Sequence, residues 1–134
     1  MDRPIRSECI ITLANALKEL HKKLKHVPKD MCSDQYTKGK YNYRYASLQS
    51  IIDTARPLLG EFGLEIIHFT ETETLVAVLT HIQSNQYIES RYKLIYRAED
   101  PRAYSAAITF GMKDTYRMLL GMVADDDTDG HLAD

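Results

Sequence analysis

The chain has 134 residues, of which 44% are apolar and 27% charged, as in an ordinary soluble globular domain. No apolar run approaches the roughly 18 residues of a membrane span, and the first ten residues lack the apolar core of a secretion signal. Cys9 and Cys32 provide neither a disulfide framework nor the spacing of a metal site. We therefore expect a reducing, cytoplasmic environment.

The charge of the chain is unevenly distributed, although its net value is only −2. Residues 125–134 contain five aspartates and no basic residue, and the other 124 residues carry 17 basic side chains against 14 acidic ones. Seven of those basic side chains lie between residues 22 and 44, where only two acidic ones occur. This local excess favours a polyanionic partner. We expect one folded domain over residues 1–124 and an acidic tail over 125–134.

The N-terminal third of the chain predicts one helix, a loop and a short strand. Ser7 is the expected N-cap of a helix that ends near residue 25, since Pro28 disfavours helix at the residue before it. A loop should follow over 26–40. The sequence KYNYRY alternates along residues 40–45 and predicts a strand. The apolar stripe of the helix consists of Leu13, Leu17, Leu20 and Leu24.

A second helix is predicted after Ser47, which is a good N-cap. Pro57 lies inside the helical pattern, so we expect a kink or a tightened last turn there. Gly63 can terminate the helix in the left-handed conformation. The expected buried stripe is Leu48, Ile51, Ile52, Ala55, Leu59 and Phe62.

Three strands are predicted next, over residues 64–69, 75–82 and 87–96. The middle run is apolar on both faces, which is typical of a covered central strand. Short connections require neighbouring strands to pair antiparallel. In the third strand, Ile88, Tyr92, Leu94 and Tyr96 should share one face, and Glu89, Arg91, Lys93 and Arg97 the other.

A last helix is predicted over residues 102–123. The expected fold class is therefore α+β, with an antiparallel sheet of three to four strands packed against helices. Candidate packing residues of the last helix are Ala106, Ala107, Phe110, Leu119, Leu120 and Met122.

Motifs of catalysis and metal binding are scarce in the sequence. No nucleotide-binding glycine loop, serine-hydrolase motif or zinc-protease motif occurs. His68 and His81 could meet across a hairpin, but histidines that serve as ordinary sheet residues are the favoured interpretation. Aspartates at 125, 127 and 129 resemble the opening of a calcium loop, whose twelfth position would fall beyond the last residue. A solvated tail is favoured over a calcium or magnesium site.

The segment 38–45 interleaves basic and aromatic side chains, as sites for single-stranded nucleic acid do. In a strand, Tyr41, Tyr43 and Tyr45 would face one side, and Lys40 and Arg44 the other. The tyrosines could instead pack against the core. Candidate DNA-binding residues of this segment are Lys38, Lys40, Tyr41, Tyr43 and Arg44.

Two further cationic sets are candidates for phosphate contacts. Arg91, Lys93 and Arg97 share one predicted strand face. Lys113 and Arg117 are four residues apart on the last helix, where like charges repel unless an anion is near. Pairing of Arg117 with Asp114 is the structural alternative.

Four segments carry a pattern beyond single motifs: KYNYRYASL, RPLLGEFGL, LVAVLTH and SAAITFGMKDTYRMLLGMVADDDTDG. Together they resemble the ERF (essential recombination function) family of phage single-strand annealing proteins over about residues 38–130. The family helix usually reads Thr-Tyr-x-x-Arg-Tyr. Here Thr109 and Phe110 hold the opening, Lys113 stands at the arginine position, and Asp114 replaces the second aromatic residue.

The resemblance implies a non-enzymatic protein that binds single-stranded DNA along a basic groove and anneals complementary strands without ATP or another cofactor. It implies a homo-oligomer, ring or filament, that works in the cytoplasm of an infected bacterium, with host or phage recombination proteins as further partners. Relatives often carry an additional C-terminal region, so we expect a short variant or a shortened chain. The alternatives are a metal-dependent nuclease using Asp125 to Asp127, or a protein-interaction module with an acidic tail.

Overall fold

A computed structural model describes residues 3–32 and 44–123 of the chain. These residues form three helices, a two-stranded sheet and a three-stranded sheet, both antiparallel, so the predicted α+β class is confirmed. The helices are α1 (Ile11–Lys23), α2 (Leu48–Glu61) and α3 (Pro101–Leu120). The strands are β1 (Met31–Cys32), β2 (Arg44–Tyr45), β3 (Leu64–Glu71), β4 (Thr74–His81) and β5 (Gln86–Lys93).

All three helices pack on one face of the sheet β3–β4–β5. The register pairs Ile66 with Leu79 and Leu79 with Ile88, which places these three side chains in one row on the helix face. The predicted stripes of α1 and α2 supply the other side of this core. Fully buried members are Leu13, Leu20, Ile51, Ala55, Ala77, Leu79 and Leu120.

Helix α1 is shorter than predicted because Ser7 has another role. The helix begins at Ile11, and its N-cap residue Ile10 makes no side-chain cap hydrogen bond. Ser7 instead donates its backbone N–H to the Tyr87 carbonyl at 3.0 Å, and its hydroxyl accepts from the Tyr87 N–H at 3.1 Å. The expected N-cap thus belongs to a contact with strand β5.

This contact is part of a segment that we call the N-terminal strap, residues 3–7. Its Ile5 carbonyl accepts from the Glu89 N–H at 2.7 Å, and Arg6 bridges Ile88 in antiparallel orientation. The strap therefore occupies the outer edge of β5. At its start, Arg3 bonds Glu71 on β3 and Glu89 on β5, so its guanidinium spans the outer face of the sheet.

The predicted ends of α2 are confirmed. The Ser47 hydroxyl accepts from the Ser50 N–H at 3.1 Å, and Gly63 follows the helix with a φ of 69°. The last turn is tightened, since the Phe62 N–H is shared between the Leu58 and Leu59 carbonyls. The loop expected over residues 26–40 was partly wrong, because Met31 and Cys32 form strand β1 and pair with β2. Residues 40–43 of the predicted strand lie outside the described residues.

Strand β5 ends at Lys93, so the prediction that it reaches residue 96 was wrong. The reason is that its partner β4 begins at Thr74, which is paired with Lys93, and beyond this pair only the Leu94 N–H donates to the Glu73 carbonyl in the turn, at 3.0 Å. Arg97 consequently lies in the connection to α3 and not on the strand face with Arg91.

Helix α3 begins after Asp100, which caps the Arg102 and Ala103 N–H groups, and ends at Gly121, whose φ is 65°. Its inward positions include Ala107, Gly111 and Thr115. Ala106 and Phe110 were predicted to pack inward, and this was wrong, because α3 packs on the sheet through Ala107, Gly111 and Thr115, which leaves Ala106 and Phe110 on its outward side. The Phe110 side chain is 56% exposed.

Candidate nucleic-acid interface

The basic, aromatic segment 38–45 meets the cations of α3 at its last residue, Tyr45. The Lys113 ammonium nitrogen of α3 lies 4.7 Å from the ring centroid of Tyr45 on β2. An ammonium over an aromatic face is attracted by about 0.5–1 kcal/mol at an exposed site. This contact joins the end of the basic, aromatic segment 38–45 to the cations of α3. We call the surface formed by Tyr45, Lys113 and Arg117 the junction patch. Arg44 precedes Tyr45 on β2 and points to the other side of that strand, so its role in DNA binding stays a prediction.

Asp30 fixes the local backbone at the junction patch. Its carboxylate accepts from the Ser47 N–H and hydroxyl, both at 2.7 Å, so it ties the start of β1 to the start of α2. These two hydrogen bonds, with a smaller contribution from the charge of Lys113, hold the pKa of Asp30 below its usual value. The carboxylate therefore stays ionised and helps to hold Lys113 beside β2.

Arg117 forms the second cationic position of the patch. Its Nη1 lies 3.1 Å from Oδ1 of Asp114, so the pairing considered as the alternative for this residue is present. Asp114 also interacts with Tyr92 on β5, whose pKa is raised by burial and by the charge and hydrogen bond of that carboxylate. The repulsion expected between Lys113 and Arg117 is thus offset by Asp114. A cleft of about 470 Å³ opens beside them, lined by Tyr92, Asp114, Arg117, Met118 and Met122.

Arg91, the first member of the third cationic set, lies on the face of the sheet opposite the helices. Arg91 donates to the Glu89 carboxylate at 2.9 Å and to the Arg3 carbonyl at 2.9 Å. The Glu89 side chain is only 5% exposed. Although burial raises its pKa, hydrogen bonds from Arg3 and Arg91 hold the net value below the usual range. Arg91 therefore anchors the N-terminal strap, and its role in DNA binding stays a prediction.

Lys93 and Arg97 are exposed at the end of β5 and beyond it. Lys93 lines a cleft that also contains Glu73 and Glu99. The structure does not bring either residue to the junction patch, which the sequence spacing could not reveal. Lys38, Lys40, Tyr41, Tyr43 and the aspartates of the tail lie outside the described residues.

Tyr45 belongs to the junction patch but is not among the predicted DNA-binding residues, although it continues the alternation of Tyr41 and Tyr43. The available signal was that alternation, together with its position directly after Arg44. Its partner Lys113 is distant in sequence, so the contact itself required the tertiary structure.

His68 is a sheet residue with a satisfied side chain, as favoured from the sequence. Its Nε2 lies 2.8 Å from the Thr115 hydroxyl, and the register pairs it with Ala77, away from His81. Within residues 3–32 and 44–123, no group of three metal-ligating side chains comes together. None of the helices described is long and apolar enough to cross a membrane.

The sequence of the chain was compared with models of protein families, with curated proteins and with solved structures. A family model described as the ERF superfamily matches residues 13–134. No curated protein and no solved structure matches the chain significantly. The match extends from helix α1 to the last residue and includes every element of the junction patch. The chain therefore belongs to the ERF superfamily.

Proposed function

We propose that this protein binds single-stranded DNA at the junction patch and anneals complementary strands without nucleotide hydrolysis. Membership in the ERF superfamily suggests a role in phage recombination. The observation that carries the finer proposal is the contact of Lys113 with Tyr45, because it brings the end of the basic, aromatic segment 38–45 against the cations of α3.

The chemistry of the patch suits a sequence-independent contact. Lys113 and Arg117 carry charged donors that suit phosphate oxygens, and phosphate contacts position a strand without reading its bases. We propose that Arg44, on the other side of β2, adds a further phosphate contact. Lys38 and Lys40 belong to the segment that leads into β2, and we propose that they extend the same path. A strand held by its phosphates keeps its base edges free to pair, which is what annealing requires.

An annealing assay tests the proposal directly. Labelled complementary oligonucleotides should form duplex faster with the protein than without it, in the presence or absence of Mg²⁺. Shortened strands that appear only with Mg²⁺ would instead identify a metal-dependent nuclease. If neither duplex formation nor strand length changes, an interaction module with an acidic tail is the better interpretation.

The double variant Lys113→Gln/Arg117→Gln tests the location of the site. We expect weaker binding to single strands and a smaller salt dependence, since each phosphate contact contributes a slope of about −0.7 in log affinity against log salt. Stability should change by less than about 1 kcal/mol, because the Arg117–Asp114 pair is partly exposed.

Helix α1 provides a matched control for this double variant. Lys18, Glu19 and Lys22 repeat the spacing of Lys113, Asp114 and Arg117, and Lys22 pairs with Glu19 at 3.0 Å. Lys18→Gln/Lys22→Gln removes the same charge and should leave binding nearly unchanged. Equal loss in both double variants would indicate a general charge effect and contradict the junction patch.

A further inference from the structure

The outward side of α3 carries an aromatic ring that the fold does not use. Phe110 is 56% exposed, whereas the inward residues of this helix, Ala107, Gly111, Thr115 and Leu120, are buried. The ring therefore contributes little to the core. A single exposed apolar side chain is ordinary on a protein surface, so the position of Phe110 relative to its neighbours on α3 decides what it can do.

Phe110 lies in line with the cations of the junction patch. Residues three, four and seven apart share one side of a helix, so Phe110, Lys113 and Arg117 follow one another along α3. The distance from Phe110 to Arg117 along the axis is about 10 Å, at 1.5 Å per residue. Ala106, one turn earlier, is exposed and small, so it leaves space beside the ring.

We infer that Phe110 is a stacking platform for an unpaired base of single-stranded DNA whose phosphates contact Lys113 and Arg117. This inference rests on the proposed function and assigns a base contact to it. The adjacent positive charges favour a polyanion over an apolar partner. Phenylalanine has no polar group, so it holds any base by its face and leaves the pairing edge free, as annealing of arbitrary sequences requires.

Two single-stranded probes of equal length separate stacking from phosphate contact. They are oligothymidylate and an abasic oligonucleotide with the same sugar–phosphate backbone. Phe110→Ala should lower the affinity for oligothymidylate by about tenfold, within the range for one stacked base, and leave the abasic affinity unchanged. Phe110→Tyr should restore the affinity for oligothymidylate. Lys113→Gln should lower the affinity for both probes.

A fluorescent variant gives a second readout. The chain contains no tryptophan, so Phe110→Trp places a single reporter at this position. Oligothymidylate should quench its emission, and the abasic strand should not. Ile82→Trp is the control, because Ile82 is 64% exposed and directly follows β4. It lies at the end of that strand far from Leu75, the residue that packs beneath Gly111. Its emission should not respond to either probe.

The outcomes distinguish this inference from the proposed function. Wild-type protein that binds neither probe overturns both. Wild-type protein that binds oligothymidylate while Phe110→Ala binds it equally well overturns only the stacking role. If Phe110→Ala instead yields a smaller particle in light scattering with unchanged affinity, Phe110 is a contact between copies of the chain, and the stacking role is wrong.

Discussion

Gly111 is a position at which α3 lies close against side chains of the sheet. A Cβ added there would lie 2.7 Å from Leu75 Cδ2 and 2.9 Å from Tyr92 Cδ1. The absence of a side chain therefore sets the distance between α3 and strands β4 and β5. That distance also positions Asp114 beside Tyr92 and, through the helix, Lys113 beside Tyr45.

We expect Gly111→Ala to lower the free energy of unfolding by about 1–2 kcal/mol, because overpacking outweighs the gain of up to about 1 kcal/mol in helix propensity. Gly60→Ala is the matched control: it lies in α2, and its added Cβ meets nothing within 4 Å. That control should be stabilising. Urea unfolding of both variants checks the pair, and a stabilised Gly111→Ala would contradict the close approach.

His68 makes the stability of the fold depend on pH. Burial lowers the pKa of its imidazole, so the folded state binds a proton less readily than the unfolded chain. The free energy of unfolding is therefore highest above pH 6.5, which is about the pKa of histidine in the unfolded chain. It decreases as the pH falls from there toward the lower pKa that His68 has in the folded state. Wild-type protein should therefore unfold at lower urea concentration at pH 5.5 than at pH 7.5.

His68→Gln should reduce this difference between the two pH values. The same substitution at the exposed His26 serves as the control and should leave the difference as in the wild type. An unchanged pH dependence in His68→Gln would mean that other groups cause it.

At the scale of elements, the hairpin β3–β4 contains a two-residue turn with an unusual sequence. Thr72 and Glu73 have φ values of 45° and 58°, the left-handed conformation that this type of turn requires at both positions. A β-branched residue such as Thr72 is disfavoured there. The strand ladder on both sides holds the turn in place, with all eight residue pairs of β3 and β4 in register.

Thr72→Asn should therefore stabilise the protein by about 0.5–1 kcal/mol, because asparagine tolerates the left-handed region better. Thermal unfolding checks this, with a rise of a few degrees expected. Thr70→Asn is a suitable control, since Thr70 is exposed in the regular part of β3. If Thr72→Asn lowers the melting temperature, the turn does not have this geometry in solution.

At the scale of the whole molecule, the two edges of the sheet differ. The N-terminal strap occupies the edge of β5 at residues 87–89. Strand β3 forms the other edge, and among the described residues no strand pairs with its free side. Ile67 and Phe69 project from β3 with 56% and 40% exposure. An eight-residue edge with exposed apolar side chains favours pairing with another chain.

We expect a homo-oligomer larger than a dimer, with β3 at the contact. Ile67→Lys should reduce the particle size in light scattering while its circular dichroism spectrum stays that of the folded protein, because a charge on an edge strand opposes pairing. Ile95→Lys, at a residue 81% exposed outside the sheet, should leave the size unchanged. Wild-type protein that is monomeric with and without DNA would contradict this assembly.

Much of the fold follows from the sequence because its signals are local. The stripes of α1 and α2, the Ser47 cap, Gly63 and the apolar central strand depend on residues within one or two turns of each other. The basic segment and the Lys113–Arg117 spacing were visible for the same reason. From these local patterns and the family resemblance, the α+β class could be predicted, and single-stranded DNA was the expected partner.

Only the tertiary structure decided which of the candidate cations share a surface. Lys113 meets Tyr45, whereas Arg91 is paired with Glu89 and bound to the strap on the other side of the sheet. The packing of α3 also left Phe110 on the outward side of the helix. Ser7 bonds Tyr87 of β5 and does not cap α1. These outcomes depend on which distant segments pair and on how closely α3 packs at Gly111, and no periodicity along the chain encodes such contacts.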